Sequence, residues 1–352
     1  MNLRAYALTL ISRQQPSLIR YVHPLESPSD EPVRRQIVEE FGFLPAPLLV
    51  HAAVKELLPA SWMILRETTL TGIVPRAVKE ALSLMVSHVN RCPFCEDTHT
   101  MTLLGLRRPE LVHAMVPDEW NRLGDPQIAR ILRWVTENSK AREPGAIRPE
   151  APFSPEEAAE IIGTVVLFHY LNRVANVFLA ESPLPGPRRI PGWNRAGRWL
   201  GGRVFEGLFE RSLLPGESFQ FLPEAILAPD LAWARANPHV AGAFARFDDV
   251  LTTAAASILT SETRDLVKHR LASSRGELQG LDKQSIDEAL LTLPAEERPL
   301  ARLALLAAFV PYRVSSRDIE DARACGSNDA DLVGTVAWAA FAAARRSGSW
   351  LS

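Results

Sequence analysis

The chain has 352 residues, 47% of them hydrophobic and 23% charged, a balance that excludes an intrinsically disordered polypeptide. That length exceeds one core of ordinary size and predicts two domains. A formal net charge of −2 supplies no global field for nucleic acid or anionic lipid, so neither is expected as a partner.

Near the N-terminus, Arg4 precedes an apolar run from Ala5 to Ile11. The run is too short for a membrane span, and no small-residue cleavage site follows it. No later apolar stretch reaches bilayer length without charges. The expected compartment is therefore the cytoplasm, where thiols stay reduced. His51 follows a Phe41-Gly42-Phe43-Leu44-Pro45 turn and reads as structural.

Beta-branched alternation is scarce, and Ala, Leu, Arg and Glu recur at helical spacing, so the predicted fold is all-α. From Arg76 to Val89, residues including Val78, Ala81, Leu82, Met85 and Val89 form a broad apolar stripe. Pro75 suits the first turn of that helix. A second helix is predicted from about Cys92 to Leu104, with Gly105 as its stop. Asp125 to Asn138 is a third. Ser154-Pro155-Glu156-Glu157 opens a fourth with a capping box. Trp62, Trp120 and Trp134 read as core or as cover for a site.

Pro183 to Pro223 is rich in Pro, Gly and Arg and reads as a linker. Its arginines, gathered between Pro187 and Arg203, are interrupted by Gly, Pro and Trp, unlike a nucleic-acid patch. The expected organisation is a redox domain over 30–182, the linker over 183–223 and a second helical domain over 224–352. The two halves look alike. Ile162-Gly163-Thr164-Val165 matches Val333-Gly334-Thr335-Val336, and Ile128-Ala129-Arg130-Ile131 matches Leu300-Ala301-Arg302-Leu303 in the same order. Laying Ile258-Leu259-Thr260 on Ile73-Val74-Pro75 puts Asp265 opposite Glu80 and Glu277 opposite Cys92. The second half thus lacks the thiol pair, its next helix looks shortened, and it reads as a degenerate tandem copy kept for packing. Cys325, in a loop before Gly326, reads as a small, partly buried residue.

Chemistry concentrates between Glu80 and His99. Cys92-Pro93-Phe94-Cys95 holds two thiols at a spacing that can close a disulfide. A place at a helix start is expected to lower their pKa towards neutrality. Cys95 and His99 are four apart and share a helix face, so the imidazole can take the thiol proton. Glu80, on the preceding helix, can orient that imidazole. The spacing alone leaves open which sulfur attacks first, Cys92 being the one expected to be more exposed. A zinc site of Cys92, Cys95, His99 and His88 is the rival reading, but His88 falls on a different helix and no second paired motif supports it. His169, Asn172 and Arg173 are expected to bond backbone or a neighbouring subunit.

A glutamate, eleven residues, C-x-x-C, three residues and a histidine resembles the AhpD-like alkylhydroperoxidase group, within the carboxymuconolactone decarboxylase-like families. Gly105 and Phe168-His169-Tyr170-Leu171-Asn172-Arg173 also look like this group. The resemblance covers about residues 35 to 180 well and the C-terminal half weakly. Where well-known peroxidases of the group have histidine between the cysteines, this sequence has Phe94. The resemblance implies an oligomeric all-α bundle with Cys95 peroxidatic, Cys92 resolving, and His99 and Glu80 relaying protons. It implies a hydroperoxide substrate, a dithiol reductant of lipoyl or thioredoxin-like type, and neither cofactor nor metal. A homodimer is expected, since one tandem chain supplies two units of a surface that single-domain relatives build by self-association. The alternatives are a carboxymuconolactone decarboxylase-type lyase, which needs no thiol pair, and a non-catalytic redox-sensing or partner-binding protein.

Overall fold

The computed structural model describes residues 3–23, 31–143, 149–184, 192–208, 211–276 and 283–352. Its described residues form helices and turns without a strand; an isolated antiparallel bridge joins Ile19 to Leu179. The fold is all-α. The first half contains α1 (Leu3–Gln14), α2 (Glu31–Phe41), α3 (Ala46–Leu49), α4 (Leu57–Leu65), α5 (Arg76–Val89), α6 (Pro93–Gly105), α7 (Pro126–Glu137) and α8 (Pro155–Phe178). Next comes α9 (Trp193–Phe205). The second half contains α10 (Pro238–Ile258), α11 (Ser261–Ser273), α12 (Lys283–Leu290), α13 (Arg298–Phe309), α14 (Ser316–Ala324) and α15 (Asp329–Leu351).

Local chemistry explains the boundaries. Asp125 caps α7 by accepting from the Gln127 and Ile128 amides, and Ser154 with Glu157 closes a reciprocal capping box on α8, each satisfying amides that an open helix end would leave unpaired. Pro75 stands just outside α5, at its N-cap with extended backbone, and not in the first turn. Gly105 departs further from expectation. It is the last residue of α6, and the left-handed position falls two residues later on Arg107, with φ +58°.

The reason for glycine at 105 is a crossing helix. A Cβ there would lie 3.0 Å from the Phe205 Cβ and 3.1 Å from the Gly202 carbonyl oxygen. The segment read as a linker therefore holds α9, seated on α6 through Gly105, Gly201 and Gly202. Backbone, unlike a flexible side chain, cannot swing aside. We expect Gly105→Val to lower stability by roughly 1–3 kcal/mol, read as a lowered urea midpoint. An unchanged midpoint would mean that α9 is not packed there.

One continuous cluster of buried apolar side chains runs from Leu18 to Leu351 and draws on both halves. At its centre α8 packs along α15, where a Cβ on Gly348 would come within 2.6 Å of Val166 Cγ2. By length and hydropathy α8 could cross a bilayer, yet 94% of its apolar window is buried within the fold, as in a core helix. Trp62 is fully buried, and Trp120 and Trp134 nearly so; their ring N–H groups donate to Gln36, the Ala114 carbonyl and the Pro149 carbonyl. All three fill core.

Of the two glycines matched between the halves, Gly163 faces Thr68, Val240 and Phe244, and Gly334 faces Ile258 and Val54. Asp265 is exposed on α11, unlike the buried Glu80 it was laid against, and Glu277 lies outside the described residues. Cys325 stands at the C-cap of α14 and is exposed, not partly buried. Of the Pro187–Arg203 stretch, Pro187 to Pro191 also lies outside the described residues.

Candidate active site

The site is built on the α5–α6 hairpin, with α8 beneath it. Glu160, fully buried on α8, accepts from the amides of Ile73 (2.9 Å) and Val74 (3.0 Å) and meets the Lys79 ammonium at 2.6 Å. Lys79 also donates to the Thr71 carbonyl at 2.6 Å. These bonds fix where α5 begins, and so the height of Glu80 along it. The other end of the hairpin is held by His169, Asn172 and Arg173, the residues expected to be structural, together with Asn176. Asn172 donates to Ser87 Oγ, Asn176 to the Asn90 carbonyl, and His169 pairs with the Asn90 side chain at 3.1 Å. Arg173 donates to the His169 carbonyl and, across the halves, to the Ala308 carbonyl at 3.0 Å. Burial, helped by the Arg173 charge, pushes His169 down to about 3, so it stays neutral at physiological pH. His51 is likewise buried against the Tyr170 hydroxyl, and burial lowers it to about 4.

Cys92 is the N-cap of α6, Pro93 opens the helix, and Cys95 and His99 follow on successive turns. His99 Nδ1 lies 2.7 Å from Glu80 Oε2, with the imidazole edge-on to Phe168, centroids 4.5 Å apart. Arg76 holds the other Glu80 oxygen at 2.7 Å through Nε and donates to the Thr69 carbonyl at 2.9 Å. Burial alone would raise the Glu80 carboxyl, but the Arg76 charge and the hydrogen bonds from His99 and Arg76 outweigh it and hold it below the usual carboxylate range. An ionised Glu80 fixes the proton of a neutral imidazole on Nδ1, leaving Nε2 as the basic nitrogen.

These groups meet at one end of a cavity of about 610 Å3. Cys95, His99, Glu80 and Arg76 line it, together with Phe94 and Phe168; Cys92 does not. Further walls come from α1 (Leu10, Ile11), the stretch from α2 into α3 (Phe41, Phe43) and α9 (Leu200, Val204). A salt bridge from Arg198 to the fully buried Asp97, at 2.6 Å, fastens α9 directly behind the cysteines, and the Ser182 hydroxyl donates to the same carboxylate.

Two expectations for the thiols are overturned. Cys95, not Cys92, is the more accessible sulfur, at 6% against 0% exposure. The Cys95 thiol is also not lowered towards neutrality. Burial pushes it well up, and the neighbouring Cys92, Glu96 and Asp97 add to the rise; withdrawal from water and nearby negative charge outweigh the partial positive charge at the helix start. His88, weighed as a zinc ligand, stands at the solvent-facing end of α5 and meets Glu96 at 3.1 Å.

The chain is 38% identical over 312 residues to a protein of Mycobacterium tuberculosis (strain ATCC 25618 / H37Rv) named alkyl hydroperoxide reductase, a match that covers 89% of this chain and 88% of that one. The chain belongs to the AhpD-like alkyl hydroperoxide reductase family. No family model matches it. The likeness to this relative runs through both halves, further than the motif alone reached.

For this AhpD-like chain the sequence named four of the groups at the cavity's reactive end or behind it, and missed Arg76 and the α1 and α9 walls. Arg76 had a signal, its spacing of four from Glu80 on one helix. The walls had none. A thiol with a raised pKa is neutral below that value, so its reactive thiolate is gained as pH rises through it. We therefore expect carbamidomethylation of reduced Cys95, followed by peptide mapping, to be slow at pH 7 and to climb about tenfold per pH unit through the ordinary thiol range near 8.5. A plateau already reached at neutral pH would contradict the buried environment.

Proposed function

We propose that this chain is a cysteine-based peroxidase, an oxidoreductase that reduces hydroperoxides with its C-x-x-C pair. The observation that supports this most is the convergence of Cys95, His99 and Glu80 on the same end of one cavity, with Glu80 bonded to His99 Nδ1 at 2.7 Å. His99 Nε2 takes the Cys95 proton as hydroperoxide arrives. The thiolate attacks the terminal peroxide oxygen, an S–O bond forms, and the O–O bond breaks. The departing alkoxide takes the proton from His99 and leaves as an alcohol, with Cys95 as a sulfenic acid. The Cys92 sulfur then displaces hydroxide from Cys95, and the departing hydroxide takes the Cys92 thiol proton and leaves as water, closing the disulfide. An external dithiol of lipoyl or thioredoxin-like type returns two electrons and two protons.

Glu80 is the group that keeps His99 in the basic tautomer. Arg76 acts through Glu80 and is a positioning residue. The reaction needs neither metal nor bound cofactor. In this reading the second half is a tandem copy without the thiol pair, the domains are 30–182 and 224–352 with α9 packed on the first of them, and the chain works in the cytoplasm as a homodimer. Light scattering of the full chain should give a dimer; a stable trimer or hexamer would defeat that part.

The test is consumption of cumene hydroperoxide by catalytic amounts of protein with dihydrolipoamide or reduced thioredoxin in excess. Turnover is expected with at least one reductant, and Glu80→Gln should lower it by about 10²-fold, the size of a lost acid–base contribution. Absence of turnover with both reductants would sink the proposal.

A further inference from the structure

We propose that the cavity selects organic hydroperoxides carrying an extended apolar body, of fatty-acyl size, and that small peroxides are poor substrates. This rests on the peroxidase reading and narrows its substrate class. The cavity's size is the first argument. At about 30 Å3 per water-sized group, 610 Å3 holds on the order of twenty non-hydrogen atoms, whereas hydrogen peroxide has two. The second argument is where the polarity lies. Charged groups stand only at the Cys95 end, and they already satisfy one another: Glu80 holds both Arg76 and His99, and Arg76 also bonds the Thr69 carbonyl. The remainder of the cavity carries no charged side chain and is mainly apolar; of its polar residues Gln14, Gln15, Thr98 and Thr102, Gln15 is taken up by the Ile11 carbonyl and the Ala46 amide, and both threonine hydroxyls donate to carbonyls of their own helix. Recognition there is by removal of hydrocarbon from water, about fourfold in affinity per buried methylene.

The mouth points the same way. Leu10 on α1 and Leu200 on α9 both line the cavity and are 48% and 60% exposed, so an apolar chain meets apolar surface before it reaches the thiol. The wall is firmly attached as well. Packing of α9 on α6 needs the glycines at 105, 201 and 202, and a salt bridge from Arg198 to Asp97 pins it beside Cys95. A thiol that served only hydrogen peroxide would need no such chamber.

The experiment compares kcat/KM of the full chain for hydrogen peroxide, tert-butyl hydroperoxide and the hydroperoxide of methyl linoleate. We expect at least a 100-fold rise from the second to the third, carried mainly by KM. Filling the apolar end with Ile11→Trp or Val204→Trp should shrink that ratio by more than tenfold. Binding is measured separately, by calorimetry of the corresponding methyl hydroxy-octadecadienoate with the Cys92→Ser/Cys95→Ser protein, which has no chemistry to perform. If the alcohol binds but no peroxide is consumed, the apolar site stands and the peroxidase reading falls. If peroxides of every size are consumed with similar kcat/KM, or the ratio is unchanged in both tryptophan variants, the size selection is overturned while the peroxidase reading survives.

Discussion

Replacing Cys95 with serine is expected to abolish peroxide turnover, at least 10³-fold, because the sulfur that lines the cavity beside His99 is then gone. A serine hydroxyl cannot form the sulfenic acid on which the cycle depends. Cys92→Ser should behave differently. The first step survives, and Cys95 sulfenic acid accumulates and can be trapped with dimedone after one addition of peroxide, while turnover stops for lack of a resolving thiol. The asymmetry rests on burial: Cys92 has no exposed surface and does not border the cavity, so peroxide reaches Cys95 first. Trapping sulfenic acid on Cys92 in the Cys95→Ser protein, and none in the converse variant, would reverse the assignment. Cys325, exposed at the end of α14, belongs to neither step, and Cys325→Ser should leave turnover unchanged.

The largest loss of stability from one substitution is expected at Glu160. Its carboxylate sits at 0% exposure and serves the Ile73 and Val74 amides and the Lys79 ammonium together. Glu160→Ala takes the acceptor from both amides and from the Asn237 side chain, orphans the buried Val74 amide, and leaves the Lys79 ammonium buried with only the Thr71 carbonyl. Breaking a buried pair by removing one partner costs about 3–5 kcal/mol, and the orphaned Val74 amide adds to it. Urea unfolding followed by circular dichroism should show the drop. Because α5 would lose its fixed start, the Glu80–His99 contact should loosen as well, so activity should fall at temperatures where the variant is still folded. A change in stability below about 1 kcal/mol would mean that the cluster is solvated and does not anchor the hairpin.

How much of this was legible in the sequence depended on whether the cause was local. The α7 and α8 starts are set by side chains within three residues of the amides they satisfy, at Asp125 and at Ser154 with Glu157, and a local cause can be read from a local pattern. The Cys95–His99–Glu80 group was legible for the same reason: two members share a helix, and the third lies on the helix before it. The linker reading failed because what makes α9 a packed helix lies far away in sequence. Gly201 and Gly202 resemble loop glycines until Met101, Leu104 and Gly105 of α6 are seen against them. Gly105 reads as a helix stop for the same cause, since a glycine required by a close crossing and one required by a left-handed turn look identical in one dimension. The direction in which the Cys95 thiol moves is not legible in the sequence, because a helix start shows in a local pattern and burial does not. Burial of the thiol decides it, with the neighbouring Cys92 and then the acids Glu96 and Asp97 adding to the rise.

The central claim, that Cys92 and Cys95 are a redox pair acting on peroxide, is tested most directly by titrating the reduced, full-length protein with hydroperoxide and mapping its cysteines by mass spectrometry. One equivalent of cumene hydroperoxide should remove two free thiols per chain and produce a Cys92–Cys95 disulfide, with Cys325 unlinked and dithiol treatment restoring both thiols. Peroxide that leaves Cys92 and Cys95 as free thiols, or that links either of them to Cys325, would contradict it.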